Sequence, residues 1–529
     1  MPRRRVRKSR DPTRKFSIRS LLVLTLTVAL PCIWLAATMK KAKRQAFDIL
    51  INMEVKLSAE FHSSEWVSGR PCRAHMVGIG GAGMRSLAQV LSAKGWRLSG
   101  SDPAIGADDP LVKAGVDCHR GHAAQHVGGD VGCVIYSSAI PSANPELCRA
   151  AELGIPTLSY AEMLGWLTQG RHGLAVAGTH GKSTTTAMAA EILVASGRDP
   201  TVVYGAVPRN GGQGGRAGGG NVVLVEACEF RRNFLNLYPH DAVILNIEPD
   251  HFDCYDTREA LESAFARFSA LPPAGGRLIV PWGDTTVQRA TAAAGCRIET
   301  FGHDERADWA ACKVQGQRGQ YGFDLVHRGE KLGRIELSVP GRHNILNALA
   351  AAALVAECGL SADEMVAGVS QFCGLRRRLE PIGSAGGVCF WDDYAHHPTE
   401  ISSTLQTARE TAPAARICCL FQPHQALRTA RLLDELAFSL QNAERVLIAD
   451  IFRAREGPPK SGEVTAADLA ARTRALGQDV PDLHAPLDVR TFLQTHLTPG
   501  DIFVVMGAGD IGRIGYDLLD WFREHRAAG

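Results

Sequence analysis

The 529-residue sequence has no Cys-x-x-Cys pair; its 14 cysteines stand singly except for Cys418-Cys419. That spacing argues against a thiolate zinc site or a disulfide framework and fits a reduced compartment. It also lacks any strong excess of one charge, with a net charge of +3. A balance this close to neutral argues neither for nucleic acid, which is not expected as a partner, nor for an acidic partner. No segment of roughly 20 to 50 residues recurs in tandem, which excludes a solenoid. A chain of this length instead holds about three domains, each able to bury its own core.

What is present is a run of small apolar residues, Leu174 to Ala177, leading into Gly178-Thr179-His180-Gly181-Lys182-Ser183-Thr184-Thr185 and then an Ala-rich helix. Glycines let backbone N–H groups approach phosphate oxygens, and a helix N-terminus adds its positive dipole end. Lys182 supplies a charge for the outer phosphates, and a hydroxyl of Ser183 or Thr184 can sit on Mg²⁺. The loop is short, with two residues between its glycines. It predicts nucleoside triphosphate binding, with Lys182 partly exposed and of little weight in the core.

A second glycine turn lies upstream. Ala74 to Val77 predicts a buried strand opening into Gly78-Ile79-Gly80-Gly81-Ala82-Gly83-Met84, then a helix, then a strand ending at Asp102. This is the dinucleotide-type βαβ pattern, and its ligand is NAD or another nucleotide diphosphate. Further strands end in acids or histidine: Asn221–Val225 before Glu226, Asp241–Leu245 before Asn246-Ile247-Glu248-Pro249-Asp250-His251, and Cys389–Trp391 before Asp392-Asp393-Tyr394-Ala395-His396-His397-Pro398. Open α/β sheets bind ligands at such carboxyl ends. Gly211 to Gly220 reads as a mobile connector. Strand and helix patterns alternate, so the sheets are predicted to be mostly parallel in an α/β chain.

The start of the chain differs. Its first 19 residues hold nine Lys/Arg and one Asp, and Leu21–Met39 then runs 19 residues without a charge. The run can span a bilayer and is read as a transmembrane anchor; the alternatives are a signal peptide or a buried helix. Charge before the span outweighs that after it, which would place the body outside the membrane. An ATP-using body belongs in the cytoplasm. Either the four basic residues Lys40, Lys41, Lys43 and Arg44 dominate and hold the body at the inner face, or translation begins lower, at Met53.

The two glycine turns, Asn246–His251, Gly341-Arg342-His343-Asn344 with Asn347, and Asp392–Pro398 occur in the order found in Mur ligases, and residues 72–525 resemble that family, in particular its alanine-adding branch. The Gly78–Met84 form and the absence of lysine between Asp250 and Pro273 point to that branch. The resemblance implies a three-domain fold, divided here as 1–70 (extension), 71–172 (UDP-sugar domain), 173–374 (ATPase domain) and 375–529 (C-terminal α/β domain). It implies ATP and Mg²⁺ as cofactors, UDP-N-acetylmuramate and L-alanine as substrates, and ligation through an acyl phosphate.

On that resemblance Gly178, Thr179, His180, Gly181, Lys182, Ser183, Thr184, Asn344 and Asp393 bind ATP. Gly78, Gly80, Gly81, Gly83, Met84, Asp102 and Arg378 bind the UDP-sugar substrate. Lys182, His251 and His396 are catalytic, and Ser183, Glu226 (or Glu229) and His251 hold the metal. The acidic run after the central strand departs from the family's pattern as Glu226-Ala227-Cys228-Glu229, leaving the choice of carboxylate open. Blander readings are that Asn344 and Asn347 are helix caps and that Asp393 and His396 fix a turn. Two other functional classes compete: a NAD-dependent dehydrogenase, which leaves the phosphate loop unexplained, and a membrane-tethered nucleotide-binding scaffold that never turns ATP over.

Overall fold

The computed structural model describes residues 73–482 and 486–525. The anchor read at 21–39 lies outside the described residues; among these, no helix is long and apolar enough to cross a membrane. Three sheets follow one another along the chain. The first holds β1 (Arg73–Val77), β2 (Arg97–Asp102), β3 (Asp117–Arg120), β4 (Cys133–Tyr136) and β5 (Thr157–Ser159) in the order β3-β2-β1-β4-β5, all parallel. Its central strand β1 is buried on both faces from Ala74 to Val77, as a covered parallel strand is, and its one polar member there, His75, is held by Ser99 and Glu146. The Ala82–Ala93 helix buries Leu87, Ala88, Val90 and Leu91 and stops at Gly95, whose left-handed φ of 86° lets the chain turn.

The second sheet has ten strands: β6 (His172–Ala177), β7 (Thr201–Val203), β8 (Gly215–Arg216), β9 (Val222–Glu226), β10 (Asp241–Ile244), β11 (Arg277–Pro281), β12 (Arg297–Gly302), β13 (Trp309–Gln317), β14 (Gln320–His327) and β15 (Glu330–Glu336). Their order is β15-β14-β13-β12-β11-β10-β6-β9-β7-β8. Strand β6, which feeds the phosphate loop, lies between β9 and β10 and parallel to both. Glu226 and the Asn246–His251 segment therefore flank the loop at one sheet edge. The Lys182–Ala195 helix packs against the His343–Val355 helix, whose residues Ala348 to Val355 are all fully buried. A helix apolar all round has to be interior.

The third sheet holds β16 (Glu380–Ala385), β17 (Val388–Asp393), β18 (Ile417–Phe421), β19 (Arg445–Ile448) and β20 (Ile502–Met506) in the order β16-β17-β20-β18-β19, with only β16 antiparallel. The α/β fold with mostly parallel sheets is as the sequence predicts.

Two features differ from the sequence reading. The antiparallel run β13-β14-β15 extends the central sheet through two tight turns, Arg318-Gly319 and Arg328-Gly329, with positive φ at all four residues. Such turns match strand twist, but Arg-Gly is a weak signal beside Asn-Gly. The glycine stretch 211–220 contains β8 and is no bare connector. A Cβ on Gly215 would lie 2.0 Å from the Ser86 carbonyl oxygen, so glycine there permits backbone packing against the first unit's helix.

Arg277, at the start of β11, is one of the largest fully buried side chains. Its guanidinium lies 3.2 Å from Asp241 and 3.5 Å from Glu299, and it donates to the Ala353 and Leu354 carbonyls at 3.0 and 3.1 Å. It thus satisfies carbonyls at the end of the buried helix and two carboxylates at once. Arg277→Ala leaves those groups buried and unpaired and should cost about 3–5 kcal/mol in denaturant unfolding of the central unit. Arg277→Lys, lacking the planar fork, should recover less than half of that loss.

Candidate active site

At the end of β6 the chain turns through Gly178 and Gly181, with φ of 140° and 83°. A Cβ on Gly181 would lie 2.6 Å from Asn347 Oδ1, and one on Gly178 would lie 2.9 Å from Leu245 Cβ. No larger residue fits either place. The Lys182–Ala195 helix starts with no side-chain cap and no acid in its first turn, which leaves its N–H groups and dipole for an anion. The loop is held from the side: Asn246 Oδ1 accepts the His180 N–H at 2.8 Å, and its Nδ2 donates to the His180 carbonyl at 3.2 Å. The Thr179 hydroxyl donates to the Glu248 carbonyl and accepts the Glu248 N–H.

Lys182 is less exposed than the sequence reading assumed, at 12% of its side chain. Its Nζ donates to the Gly178 and Thr179 carbonyls and to Glu229 Oε1 at 3.0 Å. Burial pushes the ammonium down, but the adjoining Glu229 carboxylate outweighs it and holds Lys182 above its ordinary value. Glu229 is buried too, and His251 Nε2 lies 3.3 Å from the same oxygen, Oε1, that accepts from Lys182. His251 adopts φ 52°, a strained conformation for a residue with a side chain, and its Nδ1 is buried without a partner. Ser183 Oγ donates to both oxygens of Glu226 at 3.0 Å, and Glu226 also accepts the Gly205 N–H at 2.8 Å. The two acids of the altered run are thus separated: Glu229 serves Lys182 and His251, and Glu226 faces the Ser183 hydroxyl.

A cavity of about 260 Å³ opens beside the loop, lined by His180, Gly181, Thr184, Asn344, Arg378 and Asp393 among others. Asn344 donates to the Pro340 carbonyl at 2.7 Å and accepts from Asn347, so neither asparagine caps its helix. Asp393 accepts the Leu379 and Ala395 N–H groups, both at 2.7 Å, and so does fix the turn while lining the cavity. His396 is largely enclosed, with 16% of its side chain exposed, and this desolvation lowers it to about 4 and keeps its ring neutral at pH 7. Its Nδ1 lies 3.0 Å from the Tyr394 carbonyl, which assigns the proton to Nδ1 and the lone pair to Nε2. The Arg378 guanidinium stacks 5.1 Å from the Tyr394 ring.

The first glycine turn stands at the carboxyl edge of its own sheet. Gly78 has φ 79°, and Asp102 accepts the Gly80 N–H at 3.0 Å, with no room for a Cβ on Gly80. Gly83 lies under the Tyr160 hydroxyl, where a Cβ would meet oxygen at 2.8 Å. Gly81 opens the Ala82–Ala93 helix without a side-chain cap. Met84 departs from its sequence reading: it is 3% exposed and belongs to the core rather than to a ligand surface.

The sequence reading gave no role to Asn246, Glu248, Glu400 or Arg428, which the fold brings to this site. Glu400 lies 3.0 Å from His180, and Arg428 Nε donates to the buried Asp250 at 2.8 Å. Asn246 and Glu248 carried a signal, since they stand in the acid-rich stretch after a strand; Glu400 and Arg428 are far along the chain and carried none.

Three family models match in the same order: "Mur ligase family, catalytic domain" at 73–172, "Mur ligase middle domain" at 176–355 and "Mur ligase, glutamate ligase domain" at 377–509. A UDP-N-acetylmuramate–L-alanine ligase of Salinibacter ruber is 41% identical over 449 residues, spanning 84% of this chain and 94% of its own. Its counterpart in Clostridium novyi is 38% identical over 450 residues, spanning 85% and 97%. The crystal structure of UDP-N-acetylmuramate–alanine ligase from Thermotoga maritima superposes with a TM-score of 0.72 at 25% identity, covering 85% of this chain and 99% of that one. With both glycine turns, the lysine–carboxylate–imidazole cluster and these matches running along one chain, it belongs to the Mur ligase family.

Proposed function

We propose that this chain joins L-alanine to the carboxylate of UDP-N-acetylmuramate, using ATP and releasing ADP and phosphate, to make UDP-N-acetylmuramoyl-L-alanine for peptidoglycan. The observation that carries this is one chain with two anion-ready glycine turns, of which the second adjoins a buried Lys182–Glu229–His251 cluster. Relatives named for this reaction, matched over nearly their whole length, give the substrates. The proposal includes the division into 71–172 for the UDP-sugar, 173–374 for ATP and 375–529 for closing the site.

A carboxylate is a poor acyl donor because its leaving group would be oxide. Phosphorylation solves this: a carboxylate oxygen attacks the γ-phosphorus as the bond to ADP breaks, and the alanine amine then displaces phosphate from the acyl carbon. Catalysis of the first step is positioning and charge neutralisation. The Gly178–Lys182 loop cradles the phosphates, and Lys182 faces the transferring group. Asn344 and Asp393 line the ATP side; Gly78, Gly80, Gly81, Gly83 and Asp102 take the UDP pyrophosphate and ribose. Neutral His396, with Nε2 free of its proton, is placed to accept one from the attacking amine.

The donor set also fits Mg²⁺. Ser183 and Glu226 offer adjoining oxygens, Glu226 forms no ion pair among the described residues, and His251 has a buried nitrogen to spare. Glu229, already paired with Lys182 and His251, is the poorer ligand. When bound, Mg²⁺ supplies charge neutralisation at the β- and γ-phosphates. ADP release that requires both UDP-N-acetylmuramate and an amino acid tests the whole reading; hydride transfer to NAD, or ATP binding without turnover, would replace it.

Lys182→Ala should lower substrate-dependent ADP release by about 10²-fold or more. Because Glu229 is then left buried with one partner fewer, the thermal midpoint should fall as well. Adding Glu229→Gln should restore the midpoint and leave activity absent. A double variant with near-normal turnover would remove Lys182 from the chemistry.

Among amino acids, L-alanine should give the highest kcat/KM. Glycine lacks one methyl and L-serine adds one hydroxyl, differences that a small pocket separates by only about 1–3 kcal/mol, so both should react slowly. D-glutamate should be inert, and a preference for it would overturn the substrate assignment. Attachment to the membrane through residues 21–39 remains part of the proposal. A chain beginning at Met53 should keep its activity while losing any sedimentation with membranes, since β1 starts only at Arg73.

A further inference from the structure

His180 stands inside the phosphate loop, yet its backbone N–H and carbonyl are both taken by Asn246. Its ring is held between two carboxylates. Nδ1 lies 3.0 Å from Glu400 Oε1, and Nε2 lies 3.6 Å from Glu248 Oε2. Glu248 follows β10 in the central unit, whereas Glu400 lies in the first turn of the Pro398–Thr411 helix, beyond β17 of the third sheet. Burial by itself would push this imidazole down, but the two carboxylates hold it at about 9, so the ring is charged, with Nδ1 donating to Glu400 and Nε2 in ion-pair contact with Glu248.

The joint has further members on each side. Thr399 Oγ1 donates to Glu248 Oε2 at 2.6 Å, the His397 ring packs 4.5 Å from that of His180, and Arg378 lies 3.9 Å from Glu400. At the far end of the same helix, the Tyr321 hydroxyl of β14 donates to Glu410 at 2.8 Å. The Pro398–Thr411 helix is thus tied to the central unit at both ends, and only the His180 end touches the phosphate loop. Asp393, Tyr394 and His396 immediately precede this helix, so its seating fixes theirs.

We propose that His180 is a positioning residue: through Glu248 and Glu400 it ties the Pro398–Thr411 helix to the phosphate loop and so assembles the amino-acid side of the site against the nucleotide. This rests on the ligase reading above and assigns His180 a task other than binding phosphate.

Steady-state kinetics of the full chain carrying His180→Gln, Glu400→Gln and both together test it. Each single variant should raise KM for L-alanine by about 10-fold, and the double variant should be no worse than either single, because one joint has been broken. The affinity for UDP-N-acetylmuramate, measured separately by calorimetry, should stay within about 2-fold, since that ligand's turn does not touch the joint. If His180→Gln weakens ATP binding while Glu400→Gln behaves as wild type, His180 is a phosphate ligand and the proposal falls. Additive losses in the double variant would overturn it equally. Should His180→Gln misfold, Glu400→Gln and Thr399→Val carry the test, with the same rise in KM expected. Small-angle scattering reads the joint without catalysis: Glu400→Gln should have a larger radius of gyration than wild type, and an unchanged radius with unchanged KM would overturn the assignment. A wild-type chain that releases no ADP would remove the ligase reading instead, leaving the scattering comparison to decide the joint.

Discussion

Much of this active site depends on one buried ion pair. Lys182 must reach phosphate oxygens when a nucleotide arrives, but an ammonium buried without a partner would lose its proton. Glu229, inside the same pocket, keeps it charged, and the Gly178 and Thr179 carbonyls take its remaining protons. The arrangement carries a condition. Glu229 is itself buried and needs His251 as a second partner, and His251 adopts a strained backbone to reach it. The strain at His251 is therefore tied to keeping Lys182 protonated and correctly placed.

The sheets decide where these groups meet. Strands β9, β6 and β10 are parallel neighbours, so Glu226, the phosphate loop and the Asn246–His251 segment leave the sheet at one edge within a few residues of each other. The first sheet repeats this geometry around Gly78 and Asp102. Glycine is used there for close approach as much as for φ: Gly80 under Asp102 and Gly181 against Asn347 leave no space for a methyl. The closeness lets Asp102 accept the Gly80 N–H and lets Asn347 reach the Thr185 hydroxyl at 3.3 Å.

Local chemistry was legible in the sequence, and remote pairing was not. Strand ends carrying acids, the glycine turns and the buried Ala-rich helix all follow from patterns a few residues long. Lys182 was misjudged because its burial depends on Glu229, 47 positions away and reached only through β9. Met84 follows a glycine turn in sequence but lies on the core face of its helix. Glu400 and Arg428 gave no signal, because their partners His180 and Asp250 are more than 170 positions distant. The 211–220 stretch was read from composition alone, while Gly214 and Gly215 let Ser86 come close and Gly218 and Gly220 pack on the backbone at 198–200.

The contact between the central and third units carries several ion pairs beside its apolar residues. Arg428–Asp250 is buried on both sides, His180 bridges Glu248 and Glu400, and Arg455–Asp253 lies at the rim. Phe252 is the central residue that packs on the third unit's core. Exposed pairs such as Arg455–Asp253 contribute at most about 1 kcal/mol. A buried pair such as Arg428–Asp250 gains little net stability over two solvated charges, yet a misplaced docking would leave either member unpaired at several kcal/mol. Such pairs specify one docked arrangement, because every misplacement leaves a buried charge unpaired. Each half can take up water again on separation, which an apolar face could not do without large cost. A site assembled from two units, as proposed for this one, needs that precision of register.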